Sequence, residues 1–195
     1  MSRGAIYLPP SPETFVYDDD GNLTGDARWN YSWNERQLLS AVETSPAAVS
    51  AGIPREKYAY SYDDNGRKVK TVKYVWASEG QGGTWKEVGT NSRYYDNWNL
   101  IYEVTVFADG RTPVANKYYH GEDAGGKLRG TGGTGSVRLM SLNGTLAYPF
   151  DGPTGNIEAL YSANTGNMLL AEYEYSPFGD IWKMSGRLAD KNPLR

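Results

Sequence analysis

The chain has 195 residues, no cysteine and a net charge of −3, with acidic and basic residues interspersed. The lack of cysteine excludes disulfides, thiolate metal sites and a cysteine nucleophile. There is no basic patch to predict nucleic acid as a partner, no long apolar span to predict membrane insertion, and no signal-peptide core in residues 1–10. We expect any export to be directed by sequence outside the chain.

The composition favours β-structure. Tyrosine (16 residues) and tryptophan (6) are abundant, and 23 glycines and 10 prolines supply turns. Hydrophobic residues make up 39% of the chain, and the mean hydropathy is −0.63. These values suit a sheet that contacts water over much of its surface better than a thick core.

The chain begins with a segment that lacks periodicity. Residues 1–14 are punctuated by proline, which predicts an extended lead-in to a single domain of residues 15–195. The first repeat unit ends a strand in the turn Asp18-Asp19-Asp20-Gly21-Asn22, where Asx side chains bond their own backbone. A strand follows with alternating aromatic residues on one face, namely Trp29, Tyr31 and Trp33.

The next segments predict a strand, a loop and a hairpin. Residues 38–42 favour a strand, with a helical turn as the alternative, and the small, Pro-punctuated residues 44–56 favour a loop. Residues 58–69 repeat the first unit, and Asn65-Gly66 predicts a tight hairpin. Residues 79–83 predict a flexible hairpin tip.

The second half of the chain continues the same pattern. Residues 93–104 form a third unit, and Asp109-Gly110 predicts another turn. Residues 121–136 are glycine-rich, which predicts a loop or a weakened strand. Residues 150–161 form a fourth unit. Since the spacing between units is irregular, the repeat is degenerate.

Residues 164–180 carry the clearest unit. A Gly166-Asn167 turn leads into a strand, and the turn Ser176-Pro177-Phe178-Gly179 ends it. The period-two pattern predicts that one face of this strand carries Leu169, Ala171, Tyr173 and Tyr175. The whole chain therefore predicts an all-β, antiparallel ribbon of hairpins.

These units resemble the YD repeats of RHS-repeat proteins. The landmark residues are Tyr17, Asp18, Gly21, Tyr62, Asp63, Gly66, Tyr95, Asp96, Tyr175, Pro177 and Gly179. The segment Tyr173–Gly179, followed by Ala189–Arg195, resembles the start of the RHS repeat-associated core. The resemblance covers residues 15–195.

The resemblance implies a hairpin ribbon that spirals into an open-sheet shell, as in bacterial Rhs effectors, insecticidal toxin complexes and teneurins. In that family the core is commonly followed by more strands, a self-cleavage motif and a variable toxin. This sequence stops inside the core landmark at Arg195, so we expect the self-cleavage aspartates and any cargo to lie outside it. The resemblance also implies a bacterial cell-surface or secreted location.

The acidic turn near the start of the chain has two interpretations. Asp18, Asp20 and Asn22 alternate oxygen atoms in the manner of a calcium loop. The glycine and the final glutamate of such a loop are misplaced here, since Gly21 stands at the fourth position and Trp29 at the twelfth. A hairpin turn with Asx hydrogen bonds is favoured, so the sequence predicts no metal site and no cofactor.

Three other patterns favour structure over catalysis. His120 is the single histidine, stands where relatives usually have tryptophan, and has no visible Ser-Asp partners. Glu172 and Glu174 share a strand face, as paired acids of a glycosidase could, but such acids are commonplace on solvated strands. The glycine-rich residues 130–135 lack the Lys-Ser/Thr ending of a phosphate loop. The sequence therefore predicts no enzyme.

The leading hypothesis is a non-catalytic structural segment of an RHS-type shell or surface assembly. Exposed edges of the ribbon would pair with another copy, as in a filament, or with a continuing RHS chain. One alternative is a carbohydrate-binding module whose tyrosine and tryptophan platforms include Trp29, Trp33, Trp98 and Trp182. A second alternative is a toxin-encapsulating fragment of a larger, self-processing RHS effector.

Overall fold

The computed structural model describes residues 8, 10–79, 82–123, 125–128, 136–166 and 168–194. Its strands form one 14-stranded sheet in which each strand pairs with the next along the chain. The strands are β1 (Val16–Tyr17), β2 (Leu23–Gly25), β3 (Trp29–Trp33), β4 (Leu39–Thr44), β5 (Glu56–Tyr62), β6 (Lys68–Glu79), β7 (Gly82–Asp96), β8 (Asn99–Phe107), β9 (Val114–His120), β10 (Val137–Leu142), β11 (Thr145–Asp151), β12 (Ile157–Ser162), β13 (Leu169–Tyr175) and β14 (Ile181–Ser185). The prediction of an all-β, antiparallel hairpin ribbon is confirmed.

The hairpin turns follow the repeat pattern in the sequence. At the β5–β6 turn, Asp63 Oδ1 accepts from the amides of Asn65 and Arg67 at 3.0 Å each. Gly66 closes this turn with a φ of 79°, a left-handed conformation that suits glycine. Gly21 occupies the same position after Asp18 with a φ of 84°. The repeat unit is therefore an Asx turn closed by a glycine.

The loop predicted for residues 44–56 contains a short helix, α1 (Pro46–Ser50). The Ser45 side chain caps it by accepting from the Ala48 amide at 3.1 Å, and Pro46 stands in its first turn. The Ala48 side chain is fully buried. The loop prediction was wrong here, whereas the strand predicted for residues 38–42 is confirmed as β4. None of the described helices is long and apolar enough to cross a membrane.

The face pattern predicted for β13 holds for part of the strand. Ala171 and Tyr173 are both buried, whereas Leu169 is 46% exposed and Leu170 is fully buried. The pairing of β12 with β13 shifts register between Leu160 and Tyr161. A bulge of this kind places an extra residue on one strand and breaks the period-two alternation. The prediction that Leu169 shares a face with Ala171 and Tyr173 was therefore wrong.

The chain divides into two compact units, unit 1 (Met1–Ser92 and Thr105–Thr112) and unit 2 (Arg93–Val104 and Pro113–Arg195). Unit 1 buries few described apolar side chains, namely Val42, Ala48 and Val72. Stacked side chains supplement them. The Arg55 guanidinium lies 4.1 Å from the ring centroid of Trp76 and 5.0 Å from that of Trp85, and it donates to Glu43 at 2.7 Å.

Unit 2 has a larger core on one face of its strands, here called the covered face. Residues 186–194 fold back across this face, and the Leu188 amide donates to Leu170 O at 3.0 Å. The Tyr173 hydroxyl donates to Ala189 O at 3.0 Å. The buried cluster consists of Tyr118, Met140, Leu142, Ala147, Ile157, Leu160, Leu170, Ala171, Tyr173, Leu188 and Ala189.

Several predictions fall on residues that the structure does not describe. They include most of the lead-in of residues 1–14, residues 80 and 81 of the predicted tip, and residues 129–135 of the glycine-rich stretch together with its phosphate-loop pattern. The single domain of residues 15–195 stays a prediction.

Candidate functional site

The calcium-like residues lie in the first Asx turn. Asp18 Oδ1 accepts from the amides of Asp20 at 3.1 Å and Asn22 at 2.8 Å, and its Oδ2 accepts from Asn22 Nδ2 at 3.1 Å. The hydrogen bond from the Asn22 side chain lowers the pKa of Asp18. The turn itself thus uses these oxygens. Within the described residues, no group of three or more His, Cys, Asp or Glu side chains could hold a metal ion.

The tyrosine and aspartate landmarks of the repeat tie turns to neighbouring strands. The Tyr62 hydroxyl donates to Leu39 O at 2.8 Å. The Asp63 carboxylate pairs with Arg67 at 2.6 Å inside the same turn. Arg36 donates to the carbonyls of Asp63 at 3.1 Å and Asp64 at 2.9 Å. A side chain of the β3–β4 turn therefore binds the backbone of the β5–β6 turn. These residues work in the architecture of the ribbon.

The predicted tryptophans divide into packed and exposed side chains. Trp29 packs edge-on against Tyr58 with ring centroids 6.3 Å apart, and Trp33 Nε1 donates to Leu23 O at 2.8 Å. Trp98 is 69% exposed and Trp182 is 71% exposed. Trp29 and Trp33 thus have partners within unit 1, whereas Trp98 and Trp182 are exposed side chains of unit 2.

His120 has a serine partner that the sequence did not reveal. Its Nε2 lies 2.8 Å from Leu100 O, and its Nδ1 lies 2.8 Å from Ser136 Oγ. Because a carbonyl only accepts, Nε2 donates to Leu100 O, and in the neutral ring the Ser136 hydroxyl then donates to Nδ1. Ser136 is 1% exposed, so this pair links chain segments inside unit 2.

The paired acids of β13 are exposed on the strand. Glu174 Oε1 accepts from Lys183 Nζ of β14 at 2.7 Å, and Glu172 lies opposite Ser185. The two carboxylates therefore have different surroundings, since one has a cationic partner across the strand pair. Glu174 also borders a groove, whereas Glu172 is not among the residues that line it.

That groove lies in unit 2, between the β11–β12 turn and the β13–β14 turn. Its volume is about 660 Å³, within the range of small-ligand sites. The Ser176 hydroxyl shapes one turn by accepting from the amides of Phe178 at 3.1 Å and Asp180 at 3.0 Å. The groove is lined by Thr154, Asn156, Glu158, Tyr173, Glu174, Tyr175, Ser176, Pro177, Gly179 and Trp182.

The face of unit 2 opposite the covered face carries a row of apolar side chains across neighbouring strands. Tyr119 lies opposite Leu139, and Tyr161 lies between Tyr148 and Leu169. The side chains of Tyr119 and Tyr148 are 48% and 49% exposed. Such cross-strand pairs each contribute about 0.2–1 kcal/mol. This face supports the prediction of a sheet in contact with water.

Among the described strands, the first and the last of the sheet order each have a strand partner on one side only. Both residues of β1 are exposed, and all five residues of β14 are exposed. The exposed side chains of β14 include Ile181, Trp182 and Met184. An apolar edge strand offers unpaired backbone groups and side-chain contacts to another strand.

The matches to known proteins cover most of this chain but only a small part of each relative. No family model matches the chain. The tRNA3(Ser)-specific nuclease WapA of Bacillus spizizenii is 23% identical over 175 residues, and the tRNA nuclease WapA of Bacillus subtilis is 25% identical over 175 residues. Each match covers 88% of this chain and 6% of the relative.

Among solved structures, the crystal structure of TcdB2-TccC3 is similar over 90% of this chain and 8% of that chain. The TM-score is 0.47, and the sequence identity is 16%. Together with the repeat motifs, the WapA relatives point at a coarse level to the RHS/YD-repeat family.

Proposed function

We propose that this chain is a non-catalytic wall segment of an RHS-type β-shell or surface assembly, joined to its neighbours through its strand edges. The observation that carries the proposal is the exposed, apolar edge strand β14 at the end of the 14-strand order. A strand with one partner retains unsatisfied backbone groups on its other side. A second copy, or a continuing RHS chain, can pair with them by β-augmentation.

The hydrogen bonds and the ion pair made by the polar side chains of the repeat support a structural role. The hydroxyls of Tyr62, Tyr173 and Tyr175 each donate to a backbone carbonyl. The His120 ring and the Asp63 carboxylate are likewise engaged within the fold. The polar groups of the repeat therefore hold strands and turns together, as expected for a protein whose role is to provide surface.

The relatives suggest what such a wall would serve. Both curated relatives are tRNA nucleases, and the chain spans about 6% of their length. We propose that this chain belongs to the scaffold part of a toxin-related RHS protein, outside a nuclease region, in a bacterial secreted or cell-surface setting. In a longer chain, the wall role would take the specific form of enclosing a toxin.

A pair of proline substitutions in β14 tests edge pairing. In an antiparallel pair, successive N–H groups point alternately toward the partner strand and away from it. Of Lys183→Pro and Met184→Pro, one therefore removes a bond to β13, and the other removes an outward N–H. We expect the wild type to self-associate at micromolar concentration. The outward variant should be monomeric with an unchanged Tm, and the other variant should have a lower Tm.

Sedimentation equilibrium and thermal unfolding together separate these outcomes. Phe178→Ser is the matched control, since Phe178 is 94% exposed in the turn beside β14, and this variant should assemble like the wild type. A wild-type protein that stays monomeric would overturn the self-association part of the proposal. So would an outward proline variant that assembles normally.

A further inference from the structure

The groove between the β11–β12 and β13–β14 turns combines an aromatic wall with carboxylates. Trp182 lines it and is 71% exposed. The hydroxyls of Tyr173 and Tyr175, which also line it, donate to Ala189 O at 3.0 Å and to Ile157 O at 2.8 Å. Both hydroxyls are engaged within the fold, and Tyr173 is buried, so the accessible aromatic surface of the groove comes from Trp182 and the half-buried Tyr175.

Glu158 is the acidic group of this groove without a protein partner. Within the described part of the chain, no hydrogen bond or ion pair reaches its half-buried carboxylate. The side chain packs on Gly152, where an added Cβ would come within 1.9 Å of Glu158 Oε1. The second carboxylate, that of Glu174, is paired with Lys183 at 2.7 Å. The groove therefore retains one uncompensated negative charge.

A carboxylate accepts its strongest hydrogen bonds from cationic donors. A cation that enters the groove would restore a charge-assisted hydrogen bond to Glu158. An indole ring attracts the same cation through its negative face. A neutral ligand could fill the groove but would leave the charge of Glu158 uncompensated. Charge complementarity thus favours a cationic occupant.

We propose that this groove binds the arginine or lysine side chain of a basic peptide segment. Glu158 accepts the hydrogen bonds of the cation, and the Trp182 ring lies against it. Thr154 and Asn156 also line the groove, and their side chains would bond the peptide backbone. The site shares Trp182 with the edge strand β14, whereas Glu158 belongs to the interior strand β12. A Glu158 substitution therefore tests the groove without changing the edge, and either proposal can fail without the other.

Peptide titration of the full chain, followed by the Trp182 indole signal in nitrogen–proton NMR spectra, tests the site. The probe is acetyl-Gly-Arg-Gly-amide, with the citrulline peptide as its neutral isostere. We expect the arginine peptide to shift the Trp182 signal and to bind at least tenfold more tightly than the citrulline peptide. Binding should weaken as the salt concentration rises from about 50 to about 500 mM, because dissolved ions screen the attraction between exposed charges.

Two substitutions identify the residues. Glu158→Gln keeps the shape of the side chain and should weaken arginine-peptide binding at least tenfold. Trp182→Ala should weaken it as well, and because this variant lacks the indole signal, the affinities of all variants are measured by isothermal titration calorimetry. Glu172→Gln is the matched control, because Glu172 is exposed on neighbouring β13 and is not among the lining residues. Its affinity should equal that of the wild type.

Equal binding of the two peptides, or unchanged binding in Glu158→Gln, would overturn the proposal. Absence of a Trp182 shift at millimolar peptide would do the same. A chito-oligosaccharide that shifts the Trp182 signal independently of salt, where the arginine peptide does not, would assign the groove to carbohydrate instead.

Discussion

Glu103 is a buried carboxylate of unit 2 that neighbouring strands satisfy. It is 5% exposed, and its Oε1 accepts from Asn116 Nδ2 at 3.0 Å and from the Tyr118 hydroxyl at 2.7 Å. Arg93 Nε lies 3.4 Å from its Oε2. Burial, together with the nearby charge of Glu103, raises the pKa of Tyr118 far above its usual value. The carboxylate therefore organises polar groups from β7 and β9.

Replacing Glu103 should show how much this network contributes. Glu103→Ala leaves a buried hydroxyl, an amide and a guanidinium without their acceptor, so we expect a loss of about 3–5 kcal/mol in the free energy of unfolding. Glu103→Gln should lose less, because its amide oxygen still accepts. Urea unfolding measures both variants. The exposed Glu172→Ala should change stability by less than about 0.5 kcal/mol, and a similar loss in that control would contradict the network.

Tyr31 and Asp26 make stability depend on pH in unit 1. The Tyr31 hydroxyl donates to Asp26 Oδ2 at 2.7 Å. Burial and this hydrogen bond raise the pKa of Tyr31 from 10.0 to about 12. Burial opposes ionisation of Asp26, but hydrogen bonds from Tyr31 and from the Trp29 and Arg28 amides outweigh it and lower the pKa of Asp26. The pair is thus strongest with a neutral tyrosine and an ionised aspartate.

The Tyr31→Phe variant isolates this dependence. A raised tyrosine pKa stabilises the folded state fully below pH 10, the unfolded value, and the contribution is lost as the pH rises toward 12. We expect the stability difference between wild type and Tyr31→Phe to be constant at neutral pH and to shrink across that window. Denaturant unfolding at stepped pH measures it. Tyr17→Phe, at a 59% exposed position, should show no such trend.

At the scale of the element, the turns could be predicted because their causes are local. The residues that fix the β5–β6 turn, Asp63 and Gly66, are close neighbours in the sequence. Helix α1 was missed because its Ser45 cap and Pro46 signals occur in five helical residues without an amphipathic period. The β13 bulge depends on its pairing with β12, and no pattern within one strand records that partner.

The candidate site follows the same division. Trp182 could be proposed from the sequence, because an aromatic residue after a Pro-Phe-Gly turn is a local signal. Glu158 could not, because its lack of a partner depends on where Gly152 and the β13–β14 pair lie. The contact of His120 with Ser136 spans 16 residues and depends on which strands are neighbours. The sequence did not determine which residues of separate strands lie opposite each other.

Gly186 lies just after β14, and a substitution there tests how residues 186–194 pack on the covered face. Its φ is +101°, and an added Cβ would lie 2.5 Å from Leu170 O and 2.8 Å from Ala171 Cα. We expect Gly186→Ala to displace residues 186–194 from the covered face and to lower stability by about 3 kcal/mol or more, since backbone strain adds to lost burial. Near-ultraviolet circular dichroism and urea unfolding would detect both effects.

Gly144 supplies the matched control for that substitution. It also has a positive φ, +85°, but nothing lies within 4 Å of its added Cβ. Gly144→Ala should therefore cost only the backbone term, about 1–2 kcal/mol. Equal losses in the two variants would show that the tight approach of Gly186 to Leu170 does not matter for stability.

At the scale of the molecule, the two units bury different amounts of apolar surface. The large buried cluster belongs to unit 2 and includes Leu160 and Leu170, both fully buried. Among the described residues of unit 1, the buried apolar side chains are Val42, Ala48 and Val72. Because apolar burial contributes about 25 cal/mol per Å², we expect unit 2 to resist local opening more strongly than unit 1.

Native-state hydrogen exchange measures this difference strand by strand. Amides of β12 and β13 should exchange at least tenfold more slowly than those of β4 and β5, since local opening is easiest where few apolar contacts are broken. Leu160→Ala should cost about 2–5 kcal/mol and should speed exchange in β12 and β13. Equal protection in the two sets of strands would contradict this expectation. It would mean that unit 1 is stabilised as effectively by its hydrogen-bond ladder and by side-chain stacks, such as Arg55 with Trp76 and Trp85, as unit 2 is by its buried core.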